Sequence, residues 1–351
     1  MEKPLKRECL LLNANESNQN PFNIQNLDLS DVALNRYPDS DQMLLKKAVS
    51  KELGITRSRY DTQCVYGAVS PENLIMGTGS DEVLKLILET FLPVGGTVLA
   101  PSPSFSEYKK ITSMVKGRFV QVSFEDLTIS LSRLIQTAVK EDADVIFLAN
   151  PNNPTGQLFS LKDINQLLDE TNARIVVDEA YAEFCQMTAI GLALKNPRVI
   201  VTRTLSKAYG MATLRLGFAV TTDSNIARMN AFKLTYNISG ISEWLALKAL
   251  DHSGYVHRYT SQVIELREKA LVMLSNHPNL KVYDSAANFI LIEIESVNFF
   301  IKLKEKFLQA SIRVRTFEGE SGRLAQCIRV TLTDMQEFIK VYEALGGSNG
   351  N

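Results

Sequence analysis

The sequence predicts an α/β protein: a doubly wound, mainly parallel sheet followed by a smaller α+β domain. Three observations lead there. Continuous aliphatic and β-branched runs recur between residues 97 and 202, the pattern of strands buried on both faces. Amphipathic stretches of helical period lie between them. Beyond Trp244, strand-like and helical segments continue to alternate on a smaller scale. The composition agrees, with 45% hydrophobic and 22% charged residues among 351. Such a chain can bury about 75% of its unfolded surface and needs no disulfide or metal to stay folded.

The first 40 residues are polar and rich in Asn, Ser, Asp and Pro, and read as an N-terminal arm joining the small domain. Residues 41–242 form the large domain. It opens on a helical pattern over 41–53, and 59–69 reads as a loop-like insertion. Strands are predicted at 97–100, 145–149, 175–177 and 199–202, and helices at 81–91, 130–140 and 160–171. Residues 243–351 form the small domain: one long helix over 244–275, strands at 289–293 and 328–332, and helices at 298–310 and 335–345. The tail 346–351 reads as disordered.

Lys plus Arg number 38 and Asp plus Glu 39, a net charge of −1. No basic excess is present to neutralise a phosphate backbone or an anionic membrane. The cysteines, Cys9, Cys64, Cys185 and Cys327, have neither disulfide-framework nor zinc spacing and read as free thiols. The apolar run Leu10-Leu11-Leu12 is too short for a signal peptide, and no stretch approaches the ~18 apolar residues of a membrane span. The expected setting is cytoplasmic. His252, His257 and His277 form no ligand set and read as surface residues, so no metal site is predicted.

Ligands of open parallel sheets bind beyond the carboxyl ends of the strands, which makes the segments after each strand the candidate site. Asn150-Pro151-Asn152-Asn153-Pro154-Thr155-Gly156 is a restricted loop in which Asn153 offers an amide donor and an acceptor. Taken alone it could be a plain turn. Asp178-Glu179-Ala180-Tyr181 places a carboxylate at a strand end, although a helix cap and a core tyrosine would look the same. Thr204-Leu205-Ser206-Lys207, with Arg215 beyond, offers a nucleophilic amine and anion donors. Gly77-Thr78-Gly79-Ser80-Asp81-Glu82 opens a helix whose first amides can meet a phosphate. It is neither a dinucleotide fingerprint nor a Walker loop. Phe105, after Pro101-Ser102-Pro103-Ser104, is an aromatic available for stacking.

Together these segments suit one ligand. It has a phosphate for the Gly79 helix start, Ser206 and Arg215, and an aldehyde for Lys207. A ring nitrogen would be kept protonated by Asp178, and a ring oxygen held by Asn153 and Tyr181. That ligand is pyridoxal 5′-phosphate.

The chain resembles the fold-type I, class II aminotransferases that depend on pyridoxal phosphate, and within them the histidinol-phosphate aminotransferase family. The likeness runs from Leu12-Asn13-Ala14-Asn15-Glu16 through Arg36-Tyr37-Pro38-Asp39 and the motifs above to Arg215-Leu216-Gly217 and Cys327-Ile328-Arg329-Val330-Thr331. It implies a homodimer with shared sites that moves an amino group from L-histidinol phosphate to 2-oxoglutarate. Imidazole acetol phosphate and L-glutamate would be the products, a step of histidine biosynthesis. An aromatic amino-acid aminotransferase or a threonine-phosphate decarboxylase of the same fold is the alternative.

The resemblance also implies roles. Lys207 would carry the cofactor and serve as base, Asp178 would pair with the pyridine nitrogen, and Tyr181 and Asn153 would hold the 3′-oxygen. Gly79, Ser80, Asp81, Thr204, Ser206 and Arg215 would surround the phosphate, with Tyr37 reaching it from a second subunit, and Phe105 would stack. Arg329 would bind the carboxylate of glutamate or 2-oxoglutarate, and Arg315 the substrate's phosphate. Many family members carry an aromatic close behind the Asn-Ala-Asn-Glu string; here Ser17 follows, and the nearest aromatic is Phe22.

Overall fold

The structure is a computed structural model that describes residues 9–22, 27–56, 67–124, 126–275 and 277–347. In chain order its strands and helices are β1 (Leu10–Leu12), α1 (Met43–Thr56), β2 (Leu74–Thr78), α2 (Ser80–Phe91), β3 (Thr97–Ser102), α3 (Glu107–Met114), β4 (Arg118–Ser123) and α4 (Leu131–Lys140). Next come β5 (Val145–Ala149), α5 (Leu161–Glu170), β6 (Arg174–Asp178), α6 (Ile190–Ala193), β7 (Val199–Thr204), β8 (Leu216–Val220), α7 (Asp223–Asn230) and α8 (Gly240–Leu250). The chain closes with α9 (Gly254–Leu274), β9 (Leu280–Val282), β10 (Phe289–Ile294), α10 (Val297–Gln309), β11 (Ile312–Thr316), β12 (Cys327–Thr331) and α11 (Met335–Leu345).

Among the described residues, seven strands form the larger sheet in the order β2-β8-β7-β6-β5-β3-β4. The sheet is parallel except for β8, which runs antiparallel to both β2 and β7. Strands β5, β6 and β7 lie in its middle, and nearly every residue in them is buried. Alternate side chains feed two separate apolar layers. Ile175, Val177, Val199 and Val201 point into one; Val176, Ile200, Phe147 and Tyr108 belong to the other, which α2, α3 and α7 cover.

A second sheet has the order β1-β11-β12-β10-β9, with β1 of the N-terminal arm parallel to β11. Helix starts follow local chemistry. Ser160 and Asp163 satisfy each other's backbone amides at the head of α5, and Asp334 accepts from the Glu337 amide at the head of α11.

The structure departs from the expectations in several places, and β1, β2, β9 and β11 are strands that the sequence pattern did not mark, as are β4 and β8. The long helix over 244–275 is two helices, parted at Asp251-His252-Ser253. These residues are weak helix formers, and the Ser253 hydroxyl turns aside to Glu52, 2.6 Å away. Strand β4 was not anticipated because it is an edge strand, half-exposed and lacking a continuous apolar run. Strand β8 was missed because Gly217 interrupts its run. His277 is half-buried rather than on the surface, its Nε2 lying 3.0 Å from the Leu345 carbonyl at the end of α11. Most of the 59–69 segment and of the 346–351 tail lies outside the described residues, as does Cys64.

Candidate active site

A cavity of about 680 Å³ opens at the carboxyl ends of β3, β5, β6 and β7, roofed by β11 and β12. That volume is within the usual range for a small-molecule site. Its lining brings together Ser80, Asp81, Phe105, Asn153, Asp178, Tyr181, Thr204, Ser206, Lys207, Arg215, Arg315 and Arg329 from stretches far apart in sequence. Gly79 lies beside it against Arg215. Tyr37 is not brought there; it is exposed and stacks on Tyr236, ring centres 4.6 Å apart.

Asp178 ends β6 with its carboxylate buried. Its Oδ2 accepts from the Tyr108 hydroxyl at 2.8 Å and its Oδ1 from the Thr202 hydroxyl at 3.2 Å. Burial pushes this carboxyl up to about 6, against the pull of those donors and with the Asp81 charge adding to the rise. Among the described residues no cation pairs with it.

Lys207 lies past the end of β7, and its Nζ donates to the Ala14 carbonyl at 2.7 Å. Burial, then the nearby charges of Arg329 and Arg215, lower its ammonium to about 8, although Glu16 and Asp81 oppose this. An amine poised there is partly neutral near physiological pH, as a nucleophile must be.

At the other end of the cavity the Thr204 and Ser206 hydroxyls lie 2.9 Å apart, and Arg215 donates to Ser206 at 3.4 Å and to Asp81 at 3.3 Å. They surround the start of α2, where Gly79 supplies no side-chain cap and leaves the first-turn amides facing out. Two glycines make this corner possible. Gly79 has φ +83, and a Cβ there would sit 2.6 Å from an Arg215 nitrogen; a Cβ on Gly217 would overlap the Ser80 amide.

The roof supplies the arginines. Arg329 is buried, donating to the Asn153 side chain and to the Asn13 carbonyl at 2.7 Å, while its Nε has no partner among the described residues. Arg315 sits directly opposite it in the β11–β12 register, so both guanidiniums leave the same face. Like charges held opposite each other are unfavourable without an anion between them.

The N-terminal arm threads through this arrangement. Asn13 meets Arg329, Ala14 meets Lys207, and the Asn15 side chain donates to the Tyr181 hydroxyl at 2.9 Å. Burial raises the Tyr181 phenol's pKa, while the Arg329 charge and the Asn15 donor pull it back. Phe22 packs on the main apolar core, and Ser17 lines a separate, smaller cavity.

Two residues were missed from the sequence, Tyr108 and Asn15. Tyr108 falls three residues after Phe105, on the same turn of the incipient helix, and that spacing was the available signal. Asn15 stands in a motif whose members had no individual role.

Residues 7–345 match the family model for aminotransferase class I and II. The chain belongs to the class I and II aminotransferase family. This aminotransferase is 35% identical to a histidinol-phosphate aminotransferase of Ruminiclostridium cellulolyticum, over 88% of its own length and 82% of the relative's. It is 31% identical to one of Caldanaerobacter subterraneus, over 91% and 88%. Its fold is similar to the histidinol-phosphate aminotransferase of Sinorhizobium meliloti solved with pyridoxal-5′-phosphate, at TM-score 0.82 and 23% identity, covering 96% of this chain and 89% of that one.

The residues of this aminotransferase fit pyridoxal phosphate. Asp178 is a buried carboxylate with neutral donors that pairs with no cation among the described residues, which suits it to a protonated ring nitrogen. The uncapped start of α2, Ser206 and Arg215 suit a phosphate, and Lys207 is an amine that loses its proton more readily than an ordinary lysine. Among the described residues no group of three or more His, Cys, Asp or Glu is placed to hold a metal, and no helix is long and apolar enough to cross a membrane.

Proposed function

We propose that this aminotransferase, with pyridoxal 5′-phosphate as cofactor, moves the amino group of L-histidinol phosphate to 2-oxoglutarate, giving imidazole acetol phosphate and L-glutamate in histidine biosynthesis. The observation that carries this reading is the pair Arg315 and Arg329, facing each other across one side of a cavity whose opposite end is a second anion cradle. A phosphate cofactor needs one anion site and an anionic substrate needs another. Histidinol phosphate has a phosphate ester in place of the α-carboxylate of glutamate. Arg329 would bind the carboxylate of glutamate or 2-oxoglutarate, its unpartnered Nε available as a further donor, and Arg315 would bind the phosphate of histidinol phosphate. The names of the relatives support the same choice.

When bound, the cofactor supplies an aldehyde for an amine to join and a ring that draws off the electrons of the substrate Cα–H bond. Lys207 Nζ would be the amine that holds the cofactor's aldehyde, and the same nitrogen would be the base that takes the substrate's Cα proton. Asp178 holds a proton at the ring nitrogen. Tyr181 and Asn153 hold the ring oxygen, and Phe105 covers the ring face. The α2 amides at Ser80 and Asp81, with Gly79, Thr204, Ser206 and Arg215, anchor the phosphate.

Tyr37 reaches the phosphate of the partner subunit in a homodimer. Leu34, Tyr37, Leu234, Phe232 and Tyr236 form an exposed apolar group on the two segments joined by the Tyr37–Tyr236 stack, which supports an interface between copies. The division into an arm of residues 1–40, a large domain of 41–242 and a small domain of 243–351 puts the cavity between the two sheets. The proposed setting is cytoplasmic.

Steady-state rates with a panel of amino donors test this reading. Histidinol phosphate should give the highest kcat/KM, well above phenylalanine, tyrosine and threonine phosphate. Turnover of the aromatic donors with none of histidinol phosphate, or release of CO2 from threonine phosphate, would replace it.

A further inference from the structure

Tyr108 has no role in the chemistry described so far, yet it is fully buried beneath the cavity and its hydroxyl donates to the Asp178 carboxylate. Its ring lies against Phe147, with centres 4.7 Å apart and planes 25° from parallel, and meets Phe105 edge-on at 5.4 Å. It lies in the first turn of α3, three residues beyond Phe105. One side chain thus touches both the carboxylate proposed for the ring nitrogen and the aromatic proposed for the ring face. A phenol beside a carboxylate can only donate to it, and burial together with the Asp178 charge raises Tyr108 well above the ordinary phenol range, so the proton stays on its oxygen. The carboxylate's other donors are the Thr202 hydroxyl, a longer contact at 3.2 Å on the other oxygen, and the Ala180 backbone amide.

We propose that Tyr108 is the positioning residue for Asp178: its hydroxyl, 2.8 Å from Oδ2, fixes the rotation of the carboxylate and keeps it ionised, so that the ring nitrogen rather than Asp178 holds the shared proton, while its ring sets the tilt of Phe105. Two states compete for one proton: an ionised carboxylate beside a protonated ring, and a neutral carboxyl beside a neutral ring. Burial favours the neutral pair. A hydrogen bond donated to the carboxylate favours the charged pair. The proposal rests on Asp178 facing the ring nitrogen, and the experiment separates the two ideas.

Holoenzyme loaded with pyridoxal phosphate labelled with 15N in the ring reports the proton directly by NMR. In the wild type the 15N shift should be that of a protonated ring at pH 8. In Y108F, which keeps the packing against Phe147, the shift should move toward that of a neutral ring and kcat should fall roughly 10- to 100-fold, the effect of one hydrogen bond to a charged group. KM for the amino donor should change less than two-fold. D178N should lose ring protonation altogether. If Y108F keeps the wild-type 15N shift while D178N loses it, Tyr108 is only a packing residue and the role of Asp178 stands. If D178N also keeps it, the assignment of Asp178 itself falls. A second measurement needs no cofactor. In the apoprotein the Asp178 carboxyl band in difference infrared spectra should titrate at higher pH in Y108F than in the wild type, and an unchanged midpoint would overturn the proposal.

Discussion

Two faces of the same strand ends receive opposite treatment. Asp178 and Glu179 are neighbours, as are Thr202, Arg203 and Thr204, and alternation sends them to opposite sides of the sheet. On one side Glu179 meets Arg203 at 2.7 Å, with the Thr188 hydroxyl and the Ala189 amide completing its shell. Both members of that pair are buried and matched in charge. On the other side Asp178, also buried, has hydroxyl and amide donors and no cation among the described residues. The closed pair fixes where β6 and β7 end relative to α6. The Asp178 carboxylate lies on the cavity side. Burial by itself therefore does not mark function here; what sets Asp178 apart is that it faces the cavity with neutral donors while Glu179 faces away and is paired with Arg203.

The sharpest way to break that contrast is to remove the amine on the open side. Lys207→Ala should abolish transamination, with cofactor binding only weakened because the phosphate anchors remain. Measurable turnover would end the mechanism, and mass spectrometry after borohydride reduction should find the cofactor on residue 207 of the wild type and nowhere in the variant.

Next come the two neighbouring carboxylates, which should separate activity from stability. Asp178→Asn should lower kcat on the order of 10²-fold or more, the scale of losing a positioned proton, while leaving the Tm of the apoprotein unchanged or higher, since an uncompensated buried charge is gone. Glu179→Gln should do the reverse, costing roughly 3 kcal/mol by stranding a buried guanidinium with kcat kept within about three-fold. Glu183, pushed up to about 7 by burial and by Glu179 among others, lies 3.4 Å from Arg203 and should ionise more readily in that variant, softening the loss. Equal effects of the two substitutions on kcat would mean that both sides of the strand ends serve the chemistry.

The contrast also explains what could be read in advance. Strands β5, β6 and β7 were legible because a strand covered on both faces must be apolar throughout, and the site residues just beyond them follow from that geometry. The edge strand β4 and the antiparallel β8 carry no such run. At the site, Lys207, Asp178 and Arg329 stand out as motif members, but the difference between Asp178 and Glu179 does not. It depends on which side each faces and on Arg203, 24 residues downstream of Glu179. Asn15 and Tyr108 were invisible for the same reason: each acts through a partner more than 60 residues away.

The open side should also be sensitive at its roof. Arg329→Ala should raise the KM for 2-oxoglutarate at least ten-fold, since a bidentate charged contact is lost, with a smaller change for histidinol phosphate, which Arg315 would still hold. An unchanged KM for 2-oxoglutarate would assign that carboxylate to another residue.

The smallest effect is on Lys207 itself. Its ammonium sits at about 8, below the ordinary lysine value, so the neutral amine is the minor form at pH 7 and the major form above pH 8. The rate at which apoprotein takes up pyridoxal phosphate should therefore rise with pH and level off just above 8, falling about ten-fold for each unit well below it. Part of the depression comes from the charge of Arg329, so Arg329→Gln should move the midpoint to higher pH and slow uptake a few-fold at pH 7, while leaving the plateau rate unchanged. An acidic partner for Lys207 would have set the opposite sign, holding the midpoint near the usual lysine range and letting it fall when that partner is removed. Arg203→Met, on the closed side, should leave the uptake midpoint where it is, provided the fold survives. A midpoint that followed Arg203 rather than Arg329 would show that the two faces are electrostatically one.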